Sequence, residues 1–525
     1  MPGKYYLTTP LYYVNSKPHI GHSYTEIAAD VLARWHRMSG TEVLFLTGTD
    51  EHGQKVERAA KEAGMDTQAF TDKISKTFSD LWRELGIEYT DFIRTTEVRH
   101  KDAVKQVWLD LDKKGEIYTA TYRGYYCTPC ETFLSEEVVR QQLETSATVL
   151  CPDCKRPAEP IEESNFFFKT SKYQNWLIET IEKNESMVIL PDSRRNEVLG
   201  FLKNNTLQDL CISRPKSRLS WGIPSPLSKD HVTYVWFDAL INYISACGYG
   251  DAKKIKNFEK WWPADVHLIG KDILRHHAVY WPILLHALGL KLPKLIFAHG
   301  WWLQGGDKMS KSKGNVTDPV ELCQKYGVDA YRYFLLAETP FGQDGTFSED
   351  SLILRYNTNL ANDLGNLLSR TLTMCEKYFE AMIPASGDLV QGSVIQKEGA
   401  ALLEKSRTLF RSVEASMKVL AFSEALKSIW LLIDEANKYI EASAPWVLAK
   451  QKKDDELRSV IAVLCDVLRS LSTVLKPFMP KTADMIRRQL GLSDEFGVTK
   501  MLAGVNIAKG SSLFPRIEVE KKKGL

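Results

Sequence analysis

The 525-residue chain lacks any run of about 18 apolar residues, so no membrane-spanning helix is expected. It lacks a dominant charge: 68 Lys and Arg face 66 Asp and Glu, a net of +2. That excludes a global basic field, and any nucleic-acid contact must come from local patches. Internal repeats and low-complexity tracts are missing, which excludes solenoid and fibrous architectures. Met1-Pro2-Gly3-Lys4 runs straight into the first apolar segment, so no targeting peptide is expected. Only nine cysteines occur, and five of them (Cys211, Cys247, Cys323, Cys375 and Cys465) are scattered in apolar stretches. They read as buried thiols in a reducing compartment rather than as a disulfide framework. What remains is an ordinary globular composition, 44% hydrophobic and 26% charged. The length is too great for one core and calls for roughly two to four domains.

The chain is organised around Tyr13-Val14-Asn15-Ser16-Lys17-Pro18-His19-Ile20-Gly21-His22. A strand is predicted before it over residues 5–9, an amphipathic helix after it over 24–38, and a second strand over 43–46. Ile27, Val31, Trp35 and Met38 share one helix face. The free N–H groups of the first helical turn would attract phosphate. His19 and His22, three apart, share a face at that entrance, and Gly21 leaves room for a flat base or a backbone. The bland alternative is two surface histidines near a turn. Next, Thr47-Gly48-Thr49-Asp50-Glu51-His52-Gly53 reads as a polar loop at a strand's carboxyl end, where open parallel sheets place ligands. Asp50 suits an ammonium group, or else merely caps the following helix.

Cys127-Thr128-Pro129-Cys130 and Cys151-Pro152-Asp153-Cys154 supply four thiolates for a closed, tetrahedral, structural zinc site. The alternatives are a redox pair or a disulfide. The basic segment Ser213-Arg214-Pro215-Lys216-Ser217-Arg218 reads as a solvated loop or a phosphate-backbone contact. A strand is predicted over 231–237, followed by Trp236, Ala239 and Tyr243 on one apolar, aromatic face that suits a thin ligand side chain or is plain core. A strand over 266–269 leads into Gly270-Lys271-Asp272, a common way to hold a ribose. Glycines flank Asp307-Lys308-Met309-Ser310-Lys311-Ser312, and Lys308 and Lys311 could neutralise a leaving polyphosphate. A lysine-rich surface loop is the alternative. Residues 356–480 are helical in pattern throughout. Phe422, Ala425, Ile429, Leu432, Ala436 and Ile440 step at three and four, as do Val463, Val467, Leu471 and Val474.

His19-Ile20-Gly21-His22 and Lys308-Met309-Ser310-Lys311-Ser312, in this order on an α/β pattern with a cysteine knuckle between them, resemble the two signatures of class I aminoacyl-tRNA synthetases. From Lys4 to about Pro515 the chain resembles the methionyl-tRNA synthetases, as in Thr49-Asp50-Glu51-His52-Gly53, Tyr234-Val235-Trp236-Phe237-Asp238-Ala239 and Ala444-Pro445-Trp446. The resemblance implies a Rossmann-type parallel-sheet catalytic domain in two halves (1–115 and 228–300). A connective insertion with the zinc knuckle (116–227) would separate them. A signature-loop region (301–355), an all-α helical-bundle anticodon-binding domain (356–515) and a tail (516–525) would follow. It implies ATP-dependent activation of L-methionine and transfer to tRNA(Met), with Zn2+ as one structural ion and Mg2+ arriving with ATP. His19, His22, Lys308 and Lys311 would be catalytic, and Gly21, Gly270 and Asp272 would bind ATP. Methionine would be held by Asp50, the Leu11 region, Tyr13, Trp236, Ala239, Tyr243, Ile273 and His277. Asn366, Arg370 and Trp446 would read the anticodon, although Trp446 after Pro445 also fits a plain helix-start anchor. A cytoplasmic monomer without membrane contact is expected, since no appended dimerising domain follows Pro515.

Overall fold

The computed structural model describes residues 3–127, 132–134, 136–144, 146–152, 154–304, 307–308, 317–387, 394–492 and 502–518. Two compact units divide the chain: residues 1–29 with 40–299, and residues 30–39 with 300–525.

The first unit is built on a seven-stranded sheet, all of whose pairings are parallel. Lys4–Thr8 lies in its interior, flanked by Glu42–Asp50 on one side and Val266–Gly270 on the other. Strand order therefore reverses beside Lys4–Thr8, and such a reversal opens a crevice at the carboxyl ends of the strands. Asp50, Gly270 and His299 close three of those strands. The strands Glu42–Asp50 and Val266–Gly270 are buried along nearly their whole length, as a parallel sheet covered on both faces requires.

Two predicted strands differ from the observed ones by more than a residue at an end. The strand predicted over 43–46 runs on to Asp50, so Thr47 to Asp50 is paired backbone and the polar loop begins only at Glu51. Gly48 permits this. A Cβ there would lie 1.9 Å from the Ile93 carbonyl oxygen of the neighbouring strand, so the pairing closes only without a side chain. The strand predicted over 231–237 stops at Thr233, paired antiparallel with Ser213–Pro215, and the chain turns into the helix Val235–Leu240. β-propensity loses here because Asp238 is drawn inward by two histidines.

Within 116–227, a four-stranded sheet pairs Ile117–Cys127 with the long antiparallel strand Glu159–Phe168. The same stretch also returns Val188–Leu190 to the main sheet as its edge strand, parallel to Leu295–His299. Cys211, Cys247, Cys323, Cys375 and Cys465 are buried free thiols, as expected.

The second unit is mainly helical: Asn366–Phe379, Val394–Lys418, Phe422–Ser443, Asp454–Leu475 and Pro480–Gln489. Every residue of the two predicted apolar stripes, Phe422 to Ile440 and Val463 to Val474, is buried. At its centre Arg332 is fully buried. It donates to Asp30 Oδ2 at 2.6 Å and to the carbonyls of Phe478 and Pro477 at 2.9 and 3.0 Å. Among the described residues no helix is long and apolar enough to cross a membrane.

Candidate active site

The helix Ile20–Met38 begins one residue after His19, four residues earlier than the apolar periodicity suggested. His19 is its N-cap. The His19 ring Nδ1 accepts the Gly21 N–H at 3.1 Å, and the His22 ring Nδ1 accepts the His19 N–H, also at 3.1 Å. This is the reciprocal logic of a capping box, with imidazoles in place of a hydroxyl and a carboxylate. The N–H groups of His22 and Ser23 go to the His19 carbonyl. Contrary to the expectation from sequence, the N–H groups of Gly21, His22 and Ser23 are spent within the helix. What the pair offers an anion instead is imidazole: with Nδ1 accepting, each neutral ring carries its proton on Nε2. The rings stack at 3.8 Å, and Tyr12 and Phe78 pack their edges and faces around His22.

The next link is the turn after Lys4–Thr8. Tyr12–Tyr13 pairs with Thr49 and Asp50, and the Val14 N–H donates to the Asp50 carbonyl. The backbone from Leu11 to Tyr13 thus runs beside Asp50, which is buried. The residues on either side of the Asp50–Glu51 bond are held firmly. Glu51 accepts from Arg94 at 2.6 and 2.9 Å and from the Thr49 and Thr96 hydroxyls.

The helix Val235–Leu240 carries Trp236 and Ala239, and Tyr243 follows it. Tyr243 donates its hydroxyl hydrogen to His277 Nε2 at 2.7 Å, because His277 Nδ1–H is given to the Ile273 carbonyl at 3.0 Å. Burial pulls the His277 imidazole down to about 4, although its bond to Ile273 and the Asp272 carboxylate oppose this, so the ring is neutral at physiological pH. Trp236 stacks on His276 at 3.8 Å with nearly parallel planes. His276 Nδ1 is buried with no hydrogen-bond partner among the described residues, and burial lowers this ring to about 3. Leu11 and Ile273 pack against the same core cluster as Tyr243. The result is a wall of aromatic rings and neutral imidazole in the same unit as the buried Asp50 carboxylate at its strand end, a combination suited to an apolar side chain on an amino group.

Gly270 ends its strand in register with His299, and a Cβ there would sit 2.6 Å from Asp272 Oδ1. His299 was not singled out from sequence. Its Nε2 meets the Thr25 hydroxyl at 2.7 Å, joining the His19 helix to the sheet end beside Gly270. The basic segment fits neither expectation at Arg214, which is a strand residue buried between the Tyr234 and Tyr126 rings at 4.3 and 5.1 Å. Arg218 is paired with Glu163 at 2.9 Å. Sequence reasoning also missed Asp238, His52 and His100. The available signal was charge at apolar positions: Asp238 between Phe237 and Ala239, and His100 on the buried face of Val98–Lys113.

Cys127, Cys151 and Cys154 gather with their sulfurs within 4.8 Å of one another, and Cys127 Sγ lies 3.5 Å from Cys154 Sγ. A tetrahedral zinc–thiolate site with bonds of about 2.3 Å would space its sulfurs by about 3.8 Å, so the three thiols fit. Cys130 lies outside the described residues.

In the second unit Lys308 lies in the short strand Asp307–Lys308, paired with Trp302–Gln304, while Lys311 falls outside the described residues. Asn366 opens the helix Asn366–Phe379 and is exposed, with Arg370 one turn on. The Arg370 guanidinium lies 5.7 Å over the ring of Trp446, which is 44% exposed, unlike an anchoring residue.

The profile of the family described as tRNA synthetases class I (M) matches residues 5–372. This chain belongs to that family. A second profile, the anticodon-binding domain of tRNA ligase, matches residues 400–504 of this class I synthetase. The methionine--tRNA ligase of Caldanaerobacter subterraneus subsp. tengcongensis is 48% identical to it, over 99% of this chain and 80% of the relative. That of Bacillus subtilis is 43% identical, over 99% and 78%. Among solved structures, Mycobacterium tuberculosis methionyl-tRNA synthetase in complex with methionyl-adenylate superimposes with a TM-score of 0.91. It is 40% identical, covering 98% of this chain and all of the other.

Proposed function

We infer that the chain is a methionine--tRNA ligase, which activates L-methionine with ATP and transfers it to tRNA. The observation that carries this is likeness over nearly the whole length, at 40% identity, to a synthetase that holds methionyl-adenylate. The local chemistry supports it. In the proposed reaction the methionine carboxylate attacks the α-phosphorus of ATP, pyrophosphate leaves, and the adenylate then passes its acyl group to the terminal ribose of tRNA(Met). No covalent enzyme intermediate is required; the chain positions groups and neutralises charge.

His19 and His22 would donate Nε2–H to the α-phosphate, and Gly21, Gly270 and Asp272 would receive the nucleoside. Lys308 and Lys311 would take the β- and γ-phosphates, with Mg2+ carried by phosphate and water. Asp50, with backbone near Leu11, would bind the ammonium group. Tyr13, Trp236, Ala239, Tyr243, Ile273 and His277 would enclose the thioether chain. Asn366, Arg370 and Trp446 would meet unpaired anticodon bases by edge hydrogen bonds and stacking. Cys127, Cys130, Cys151 and Cys154 would hold one structural Zn2+, which supplies folding energy and no chemistry. The proposal includes a monomer acting in the cytoplasm, which sedimentation and fractionation test. The test of the activity is amino-acid-dependent exchange of pyrophosphate into ATP. Methionine alone of the twenty should stimulate it, and stimulation by another amino acid instead would overturn the assignment.

A further inference from the structure

A fully buried carboxylate joins two parts of the first unit that carry different halves of the proposed methionine site. Asp238 Oδ2 receives His52 Nδ1 at 2.7 Å, and Asp238 Oδ1 receives His100 Nε2 at 2.6 Å. His100 Nδ1 reaches the Ser245 hydroxyl at 3.0 Å. All four residues are buried. Both carboxylate oxygens thus take an imidazole N–H; burial pushes the Asp238 carboxyl up, but the facing His52 and His100 imidazoles outweigh it and hold the group below the usual carboxylate range. None of these residues lies in a strand of the main sheet: His52 lies past the end of Glu42–Asp50, Asp238 sits in a six-residue helix, and His100 and Ser245 are helical. What the network fixes is distance. His52 is two residues from Asp50, and Asp238 lies between Trp236 and Ala239.

We propose that Asp238 is a positioning residue for amino-acid recognition: through His52 and His100 it holds the ammonium-binding strand end at Asp50 in register with the apolar wall at Trp236 and Ala239. This rests on the methionine-site reading above. The ATP-facing groups, His19, His22 and Gly270, stand on other elements, so loosening the network acts on methionine and not on the nucleotide. Asn at position 238 keeps the shape but has one acceptor oxygen, so one imidazole N–H meets an amide N–H instead.

The experiment is methionine-dependent pyrophosphate exchange on the full chain, normalised by active-site titration. In Asp238→Asn, loss of a hydrogen bond to a charged group raises the KM for methionine about 10- to 100-fold, with the KM for ATP within about twofold of the parent. His52→Leu does the same. His52→Asn, whose amide N–H reproduces the Nδ1 donor, restores the KM for methionine to within about threefold, and His100→Gln does so for Nε2. A purely structural role lowers the titrated fraction and leaves both KM values alone, which overturns the proposal. So does an equal rise for methionine and ATP. If Asp238→Asn does not fold, the His52→Leu and His52→Asn pair decides by itself. Failure of the functional reading looks different: the unaltered chain shows no methionine-dependent exchange.

Discussion

Replacing Gly21 by alanine separates activity from stability. Alanine is the better helix former by about 1 kcal/mol in a helix interior and by less in a first turn, a gain that strain on the His19 cap, itself worth about 1 kcal/mol, offsets. The added methyl, however, would lie 3.0 Å from His19 Cε1 and 3.2 Å from Nδ1. Ordinary carbon contact is about 3.5–4.0 Å, so the imidazole must retreat by roughly half an ångström. It cannot do so freely, since it is stacked on His22 at 3.8 Å and accepts the Gly21 N–H at 3.1 Å. Retreat turns Nε2–H away from its direction. Losing one hydrogen bond to a charged phosphate costs about 1.5–3 kcal/mol, which is about 10- to 150-fold in the rate of adenylate formation. Single-turnover formation of methionyl-adenylate at saturating ATP and methionine measures it, beside thermal unfolding. The expected result is that loss of rate with a nearly unchanged Tm and an unchanged KM for methionine. A rate within about threefold of the parent would show that the imidazole has no fixed place in the transition state.

Three further outcomes follow from the same geometry. Arg332→Met takes from buried Asp30 its fully buried guanidinium partner and from two carbonyls their donor, so the second unit loses about 3–5 kcal/mol, read as a fall in its calorimetric Tm; no change would mean the pair is neutral. His277 is about 4 in the fold against 6.5 unfolded, so the unfolded chain binds the extra proton between those values and stability falls as pH drops from 6.5 to 4. That amounts to about 3 kcal/mol for this group, and His277→Gln should flatten that part of the urea-midpoint profile. Cys151→Ser should leave the purified protein with less than about half an equivalent of zinc by elemental analysis and loosen the 117–168 sheet to proteolysis, while full zinc content would refute a thiolate site at this position.

Much was legible in the linear order of residues. Two short signatures, two cysteine pairs and two apolar stripes of helical period each lie within a few neighbours, where spacing alone constrains geometry. Hence the α/β sheet, the bundle stripes and the sulfur cluster could be read from the order of residues. Limits of elements were not legible where long-range pairing set them. The strand ending at Asp50 continues because Gly48 lets Ile93 approach, and the helix at Val235 starts because Asp238 finds His52 and His100 from distant parts of the chain. The imidazole pair could be seen as chemically apt, but not that its Nδ1 atoms would close the helix end and so fix the proton on Nε2. Arg214 likewise looked like a solvated charge until two tyrosine rings enclosed it. Local order determined which groups are present and which face of a helix or strand they share, because backbone periodicity is short-ranged. Only the tertiary structure decided protonation, tautomer and register, because those depend on partners that burial brings together from hundreds of residues apart.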